Sequence, residues 1–237
     1  MMEFAKLSAP TLKELLVKEL ETMILSGKLE IGAKLPSERE LAEQMQVSRS
    51  VVNGGINELA RKGFLIVKPR SGIYVSDYRR TGTVEALQSI MNYNGGQLHK
   101  DEVRSILELK LVIDTLSSKL AAKHATKEDL EILNAKLIQM KEAEGDNKKA
   151  AEAVFDFYHE LSIVSGNILL PLIYRSFRVP VIHLWERFIY KYGNDIVCKS
   201  AKTVFDAVSI GDEEAAIKAV HQAISGSIEG SREIYED

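Results

Sequence analysis

Apolar positions recur along most of the chain at helical spacing, three or four residues apart, and the exceptions cluster near residues 64–75. After Pro10-Thr11, the positions Leu12, Leu15, Leu16, Leu20, Met23 and Ile24 predict an amphipathic helix ended by Ser26-Gly27. Between Lys34 and Val75 the elements become short. Ser37 predicts an N-cap, Glu38 and Glu40 suit the first turn of the helix it starts, and Leu41, Ala42 and Met45 form the inner face. Val47-Ser48 break that helix and cap the next. From Arg49 to Lys62 a stripe of Val52, Ile56, Leu59 and Ala60 predicts a buried face, with Arg49, Ser50 and Asn53 on another, and Gly63 closes the helix. Phe64–Val67 and Ile73–Val75 are β-prone runs around the turn Lys68-Pro69-Arg70-Ser71-Gly72. The order is helix, helix-turn-helix, two-stranded wing.

Met1–Ala9 has no period and reads as an arm, and the polar stretch Asp77–Thr83 as a linker. Beyond it the pattern is helical throughout. Helices are expected at 84–91, 101–124, 126–144, 148–164, 168–190, 196–210 and 213 to about 235, with a loop from Asn92 to Gln97. Seven helices without a strand predict an all-α bundle. The fold class is therefore mainly α, with a winged helix-turn-helix over 1–78, a linker over 79–83 and an all-α domain over 84–237.

Composition adds three constraints. With 237 residues, 45% of them apolar, the chain has room for two cores. The single cysteine, Cys198, excludes an internal disulfide and suits a buried apolar position. No signal peptide and no run of about 18 apolar residues is present, so a cytoplasmic protein is expected. The net charge of −3 looks wrong for a partner of nucleic acid until it is divided. Lys28–Arg80 holds ten Lys or Arg against six Asp or Glu, so a positive head sits on an acidic remainder.

The run LPSERELAEQMQVSR, followed by a Gly-ended helix and SGIYV, resembles the winged helix-turn-helix of the GntR family of bacterial transcription regulators. The resemblance implies DNA contacts from Arg39 and Arg49; an Arg binds either a guanine edge or a phosphate. Ser37, Ser48 and Ser50 carry hydroxyls able to donate to phosphates, although Ser37 serves equally as a plain helix cap. Arg70 and Gly72 belong to the wing tip, where Gly permits close backbone approach. Many family members have Arg-Glu where this chain has Asn53-Gly54, and Asn suits adenine, so a different operator is expected.

KLVIDTLSSKLAA near Lys110, the SGN of Ser165–Asn167 and AVSIGDEEAA at Ala207–Ala216 resemble the C-terminal domain of the FadR subfamily. That resemblance implies a homodimer and a cavity for a small effector. It also implies a divalent metal at positions that here are Val154, Tyr158, Ala201 and Ala223, none able to ligate as the family pattern requires. No metal and no cofactor is therefore expected, although Asp156 and His159 form an i,i+3 pair able to chelate, and His183 and His221 lie further along. Lys110 stands where the family usually has Arg and Asp114 where it has Glu; a cation in an apolar bundle needs an anion, either Asp114 or a ligand. Lys110, Asp114, Tyr158, Tyr174 and Arg178 are the candidate effector contacts. The expected partners are duplex DNA, a second copy of the chain and a small anionic metabolite, an acyl-CoA or an organic acid. The alternative is a constitutive DNA-binding dimer whose bundle only dimerises. No nucleophile–base set or phosphate loop supports an enzyme.

Overall fold

The computed structural model describes residues 9–93, 100–232 and 234. The chain forms two compact units, Met1–Gly95 and Gly96–Asp237. The expected arm and most of the loop expected at Asn92–Gln97 lie outside the described residues.

In the first unit, α1 (Leu12–Leu25) starts from a capping box in which Thr11 and Glu14 satisfy each other's backbone donors. Its buried face is Leu16, Val17, Leu20 and Ile24, while Leu12 and Leu15 stand 57% and 49% exposed. The stripe is thus rotated from the predicted one, because α1 crosses α3 (Arg49–Lys62) at Leu16 and Val17. The helix α2 (Glu38–Gln44) has its own capping box between Ser37 and Glu40, and Ser48 caps α3, which ends at Gly63 in the left-handed region with φ 88°. Val52, Ile56, Leu59 and Gly55 form the buried face of α3.

The wing pairs β1 (Leu65–Lys68) with β2 (Gly72–Val75) in antiparallel register, Leu65 opposite Val75 and Lys68 opposite Gly72. The sequence pattern missed a third edge. Gly32 and Leu35 donate backbone bonds to Val75 and Ile73, and Val75 donates to Ala33, each at 2.9 Å. The segment read as a linker also forms structure: α4 (Tyr78–Thr81) packs so closely on the end of α3 that a Cβ on Gly63 would lie 2.2 Å from the Thr81 carbonyl oxygen. The next helix, α5 (Val84–Asn92), assigned by its sequence to the second domain, joins this head instead. Ala86 is buried in the head core with Ile90 against it, and Lys62 Nζ and Ser89 Oγ both bond Glu21 at 2.8 Å.

Among the described residues seven helices make the second unit: α6 (Lys100–His124), α7 (Lys127–Glu142), α8 (Asn147–Val164), α9 (Leu170–Ser176), α10 (Arg178–Tyr192), α11 (Asn194–Ser209) and α12 (Glu213–Ile228). The central helix is α8, which packs against α6, α7, α9, α10 and α11 and buries residues on most of its sides, including Val154, Phe155, Phe157, Tyr158 and Leu161. The predicted count of seven survives by exchange, since α5 belongs to the head and the single helix expected at 168–190 is two. Pro180 explains the break: it lacks an N–H and is tolerated only in a first turn, so the chain restarts at Arg178. The SGN motif is a junction, in which Ser165 Oγ accepts from Asn167 N–H and Asn167 Oδ1 accepts from Leu169 and Leu170. The last helix ends at Ile228 rather than near Tyr235. Gly230, at φ 88°, turns the chain back, Arg232 N–H bonds the Gly226 carbonyl at 2.8 Å, and Ile234 is buried.

Candidate functional site

On the head, the buried stripe of α3 determines what its opposite side presents. Arg49, Ser50, Asn53 and Asn57 are all exposed, and Arg49 to Asn57 spans two turns, about 12 Å at 1.5 Å per residue. Arg49 has no intramolecular partner among the described residues, so its guanidinium is available to a ligand. Asn53 donates to Glu38 Oε1 at 3.1 Å and accepts from Asn57 at 3.0 Å, which fixes its amide on the outer face. Asn57 went unremarked in the sequence, although it follows Asn53 by one turn.

Of the remaining candidates, Ser37 and Ser48 use their hydroxyls as helix caps, Ser37 Oγ also donating to Glu40 Oε2 at 2.7 Å. Arg39 is exposed and pairs with Glu43 at 3.3 Å. At the wing tip Arg70 adopts φ 61° in the tight turn, and Gly72, at φ 128°, lies against the Lys34 stem, which a Cβ there would meet at 2.7 Å. Lys34 and Lys68 gather over the Tyr74 ring at 5.9 and 4.8 Å, adding two cations to the wing.

In the bundle, Lys110 and Asp114 are one turn apart on the inner face of α6, 6% and 1% exposed, and form an ion pair. The structure brings two of the predicted partners to them. Lys110 Nζ donates to Tyr174 Oη at 3.2 Å and lies 4.1 Å from the Tyr158 ring centroid. Trp185 adds a third aromatic face at 5.3 Å from Nζ and stacks on Tyr158. Arg178 is not part of this cluster; it sits over Phe155 at 5.7 Å and approaches Glu152 at 3.9 Å. Burial pushes the Lys110 ammonium below its ordinary range and the Asp114 carboxyl above its own, while each partner's charge pulls the other way. Burial raises Tyr158 and Tyr174, so both hydroxyls stay protonated.

A cavity of about 20 Å³, room for about one water, adjoins Lys110 and is walled mainly by apolar side chains including Leu107, Leu184, Phe188 and Ile224, with Ser227 of α12 and Ile234 of the tail also lining it. Asp114 Oδ1, Ser117 Oγ and Trp185 Nε1 are buried without a partner among the described residues. Ser117 follows Asp114 on the same face of α6 and was legible only as part of that stripe.

Residues 12–75 match the family described as bacterial regulatory proteins, gntR family, and residues 105–226, about half the chain, match the FCD domain. The chain belongs to the GntR family. It is 31% identical over 148 residues to the HTH-type transcriptional regulator LutR of Bacillus subtilis (strain 168), covering 62% of this chain and 65% of that one. It is 30% identical over 166 residues to the HTH-type transcriptional repressor NanR of Escherichia coli O127:H6, covering 68% and 60%. These matches span less than two thirds of the relatives' own lengths. The solved structure of Lar, described as controlling the Listeria monocytogenes agr system, shares the fold at TM-score 0.60 and 19% identity, over 92% of this chain and 95% of that one.

As a GntR regulator of the FCD type, the chain raises the question of a bound metal, and its residues do not fit one. At the family positions stand Val154, Tyr158, Ala201 and Ala223, without a carboxylate or imidazole among them. Among the described residues no three His, Cys, Asp or Glu side chains come together to hold an ion, so Asp156, His159, His183 and His221 do not substitute. His159 instead stacks on Phe155 at 5.9 Å, and burial followed by the Arg175 charge lowers its pKa, favouring the neutral ring. Two of the four family positions border the Lys110 cluster: Tyr158 faces the ammonium and Ala223 lines its cavity. The cation in this part of the bundle is a lysine.

Proposed function

We propose that the protein is a sequence-specific DNA-binding transcriptional regulator, dimeric on DNA, whose operator affinity is controlled by a small metabolite bound beside Lys110. The observation that carries the DNA reading is the exposed row Arg49, Ser50, Asn53 and Asn57 on α3, next to a wing bearing Lys34, Lys68 and Arg70. A helix of this kind reads base edges in the major groove while wing and cap groups contact phosphates. Arg49 supplies the base or phosphate contact, and Asn53 the adenine-compatible amide.

Of the anions the resemblance allows, an organic acid suits the bundle better than an acyl-CoA. Among the described residues Lys110 is the sole cation lining its cavity, whereas a coenzyme's phosphates require several. Control follows if the ligand binds more tightly to the bundle state that spaces two heads for DNA, or to the state that does not. Asp114 Oδ1 and Trp185 Nε1, near Lys110 and unpartnered among the described residues, favour this over a bundle that only dimerises.

Selection from a random duplex library with the full-length protein tests the reading. The expected product is one enriched motif with two half-sites about one helical turn apart, bound with a steep salt dependence. Arg49→Ala is expected to weaken its binding while leaving the dimer intact. Recovery of no motif refutes sequence-specific binding; an operator affinity that no metabolite fraction of a cell extract changes refutes effector control.

A further inference from the structure

One carboxylate sets the direction of a chain of amides on the outer face of the head. Glu38, in the first turn of α2, accepts from Asn53 Nδ2 at 3.1 Å, and Asn53 Oδ1 accepts in turn from Asn57 Nδ2 at 3.0 Å. An amide side chain donates from one end and accepts at the other, and the two ends have nearly the same shape, so an Asn alone on a helix surface presents either end to a ligand. An ionised carboxylate only accepts. Glu38 therefore draws the Asn53 nitrogen toward α2, which turns Oδ1 toward Asn57 and obliges Asn57 to offer its own N–H. Reversing Asn53 would set its oxygen against Glu38 Oε1.

Each link leaves something over. Asn53 retains one N–H and one oxygen lone pair, on an exposed residue of the face that also carries Arg49 and Ser50. In the major groove adenine presents N7 as an acceptor and its N6 amine as a donor, whereas guanine presents two acceptors, N7 and O6. An amide held with its N–H at N7 and its oxygen at the 6-position accepts from the adenine amine and opposes guanine O6. The same amide reversed donates to O6 and tolerates guanine. Discrimination between the two purines thus depends on what prevents Asn53 from reversing. Here that is Glu38, a residue of the preceding helix fifteen positions earlier in the chain. Its charge works against affinity, since a carboxylate near phosphates repels them.

We infer that Glu38 is a positioning residue for base reading by α3: it fixes the direction of the Asn53 amide and so makes one position of each half-site adenine rather than guanine, at a cost in overall affinity. This rests on the reading of α3 as the base-reading helix and adds to it a residue of α2 that acts through Asn53. A carboxylate that only complemented the dipole of α2 would bear equally on every base.

Selection from a random duplex library tests the inference, with the full-length wild-type protein, Glu38→Gln, Asn53→Ala and Glu38→Gln/Asn53→Ala, and with affinity for a motif-free duplex measured alongside. Glu38→Gln is isosteric and keeps a hydrogen bond to Asn53, but Gln both donates and accepts, so the chain of amides can run in either direction. It is expected to lower the adenine-over-guanine ratio at one position of each half-site at least ~fivefold and to leave the ratios elsewhere unchanged. It should also bind the motif-free duplex more tightly, through loss of a negative charge. In the Asn53→Ala background the same substitution should still tighten non-specific binding and change no base ratio. A ratio that Glu38→Gln leaves intact, or that it lowers further once Asn53 is alanine, overturns the positioning role and leaves DNA reading by α3 standing. Absence of any motif for the wild-type protein overturns both.

Discussion

Gly54 and Gly55 lie side by side in α3, and replacing each with alanine is expected to change stability in opposite directions. In a helix interior alanine is worth about 1 kcal/mol over glycine, so propensity alone treats the two substitutions alike. Their surroundings differ. A Cβ on Gly54 would meet Lys13 Cδ at 3.4 Å, an ordinary contact with a half-exposed flexible stem, so the full gain is retained. A Cβ on Gly55 would lie 2.4 Å from Leu16 Cδ2 and 3.5 Å from Val17 Cγ2, inside the α1–α3 crossing, where Leu16 is 3% exposed. Overpacking of this kind costs about 1–3 kcal/mol, which cancels the propensity gain or exceeds it. Hydrogen exchange over the peptide 49–62, read by mass spectrometry, measures both. Gly54→Ala is expected to slow exchange about fivefold, the equivalent of 1 kcal/mol, while Gly55→Ala leaves it unchanged or speeds it. In a Leu16→Ala background the Gly55→Ala penalty should vanish, because the clashing methyl is gone. Equal slowing by both alanines refutes the close-approach account and returns Gly55 to an unexplained helix breaker.

Three further outcomes follow from the same geometry. Asn53→Ala is expected to relax base preference at one position of each half-site by about 1–3 kcal/mol, and a selection that recovers the wild-type motif with unchanged affinity refutes a reading role. Lys110→Met alone leaves Asp114 charged and unpaired and is expected to destabilise the bundle by about 3–5 kcal/mol, whereas Lys110→Met/Asp114→Leu should be near neutral; urea unfolding followed by Trp185, the one tryptophan, reports both, and equal losses contradict the argument. Acid should loosen the capping boxes. The Ser37 hydroxyl and then its N–H hold Glu40 below the ordinary carboxylate range, and the Thr126 hydroxyl and then its N–H do the same for Asp129. Their folded values lie below the unfolded ones near 4, so the stabilisation is complete above that pH and disappears as pH falls through the folded values. Glu40→Gln and Asp129→Asn should each flatten the fall of Tm between pH 6 and pH 3, and unchanged slopes in both refute the linkage.

What the sequence revealed of this fold is what short-range chemistry decides. The caps Thr11, Ser37, Ser48 and Thr126 and the closing Gly63 act within three or four residues of themselves, and α3 has the limits its periodicity predicts. Features that need a distant partner were not legible. The buried face of α1 depends on where α3 crosses it, and Leu12, Leu15 and Leu16 offer overlapping stripes that period alone cannot separate. The third edge of the wing, Gly32–Leu35, is hydrogen-bonded by residues some forty positions away. Two errors were avoidable, since Pro180 marks the restart of α10 and Gly230 the turn beyond α12. In the site, Lys110 and Asp114 were readable as one turn of one helix, and Tyr158 and Tyr174 joined them from α8 and α9. Arg178 did not, because the period of α10 left open which of its polar residues turn inward.

Replacing a metal with a lysine changes what a ligand has to do. A bound metal offers open coordination positions and its protein ligands compensate its charge independently of the effector. An ammonium built into α6 is compensated by Asp114 on the same helix, so a carboxylate that takes Lys110 for itself also leaves Asp114 in need of a cation. The groups around the pair come from four helices: Lys110 and Asp114 from α6, Tyr158 from α8, Tyr174 from α9 and Trp185 from α10. A ligand that separates the pair therefore has to be matched by a change at Asp114 as well, so the bound and free bundles differ in which of these groups are paired. Two states with different affinity for the ligand are the physical requirement for its control of any other site on the chain.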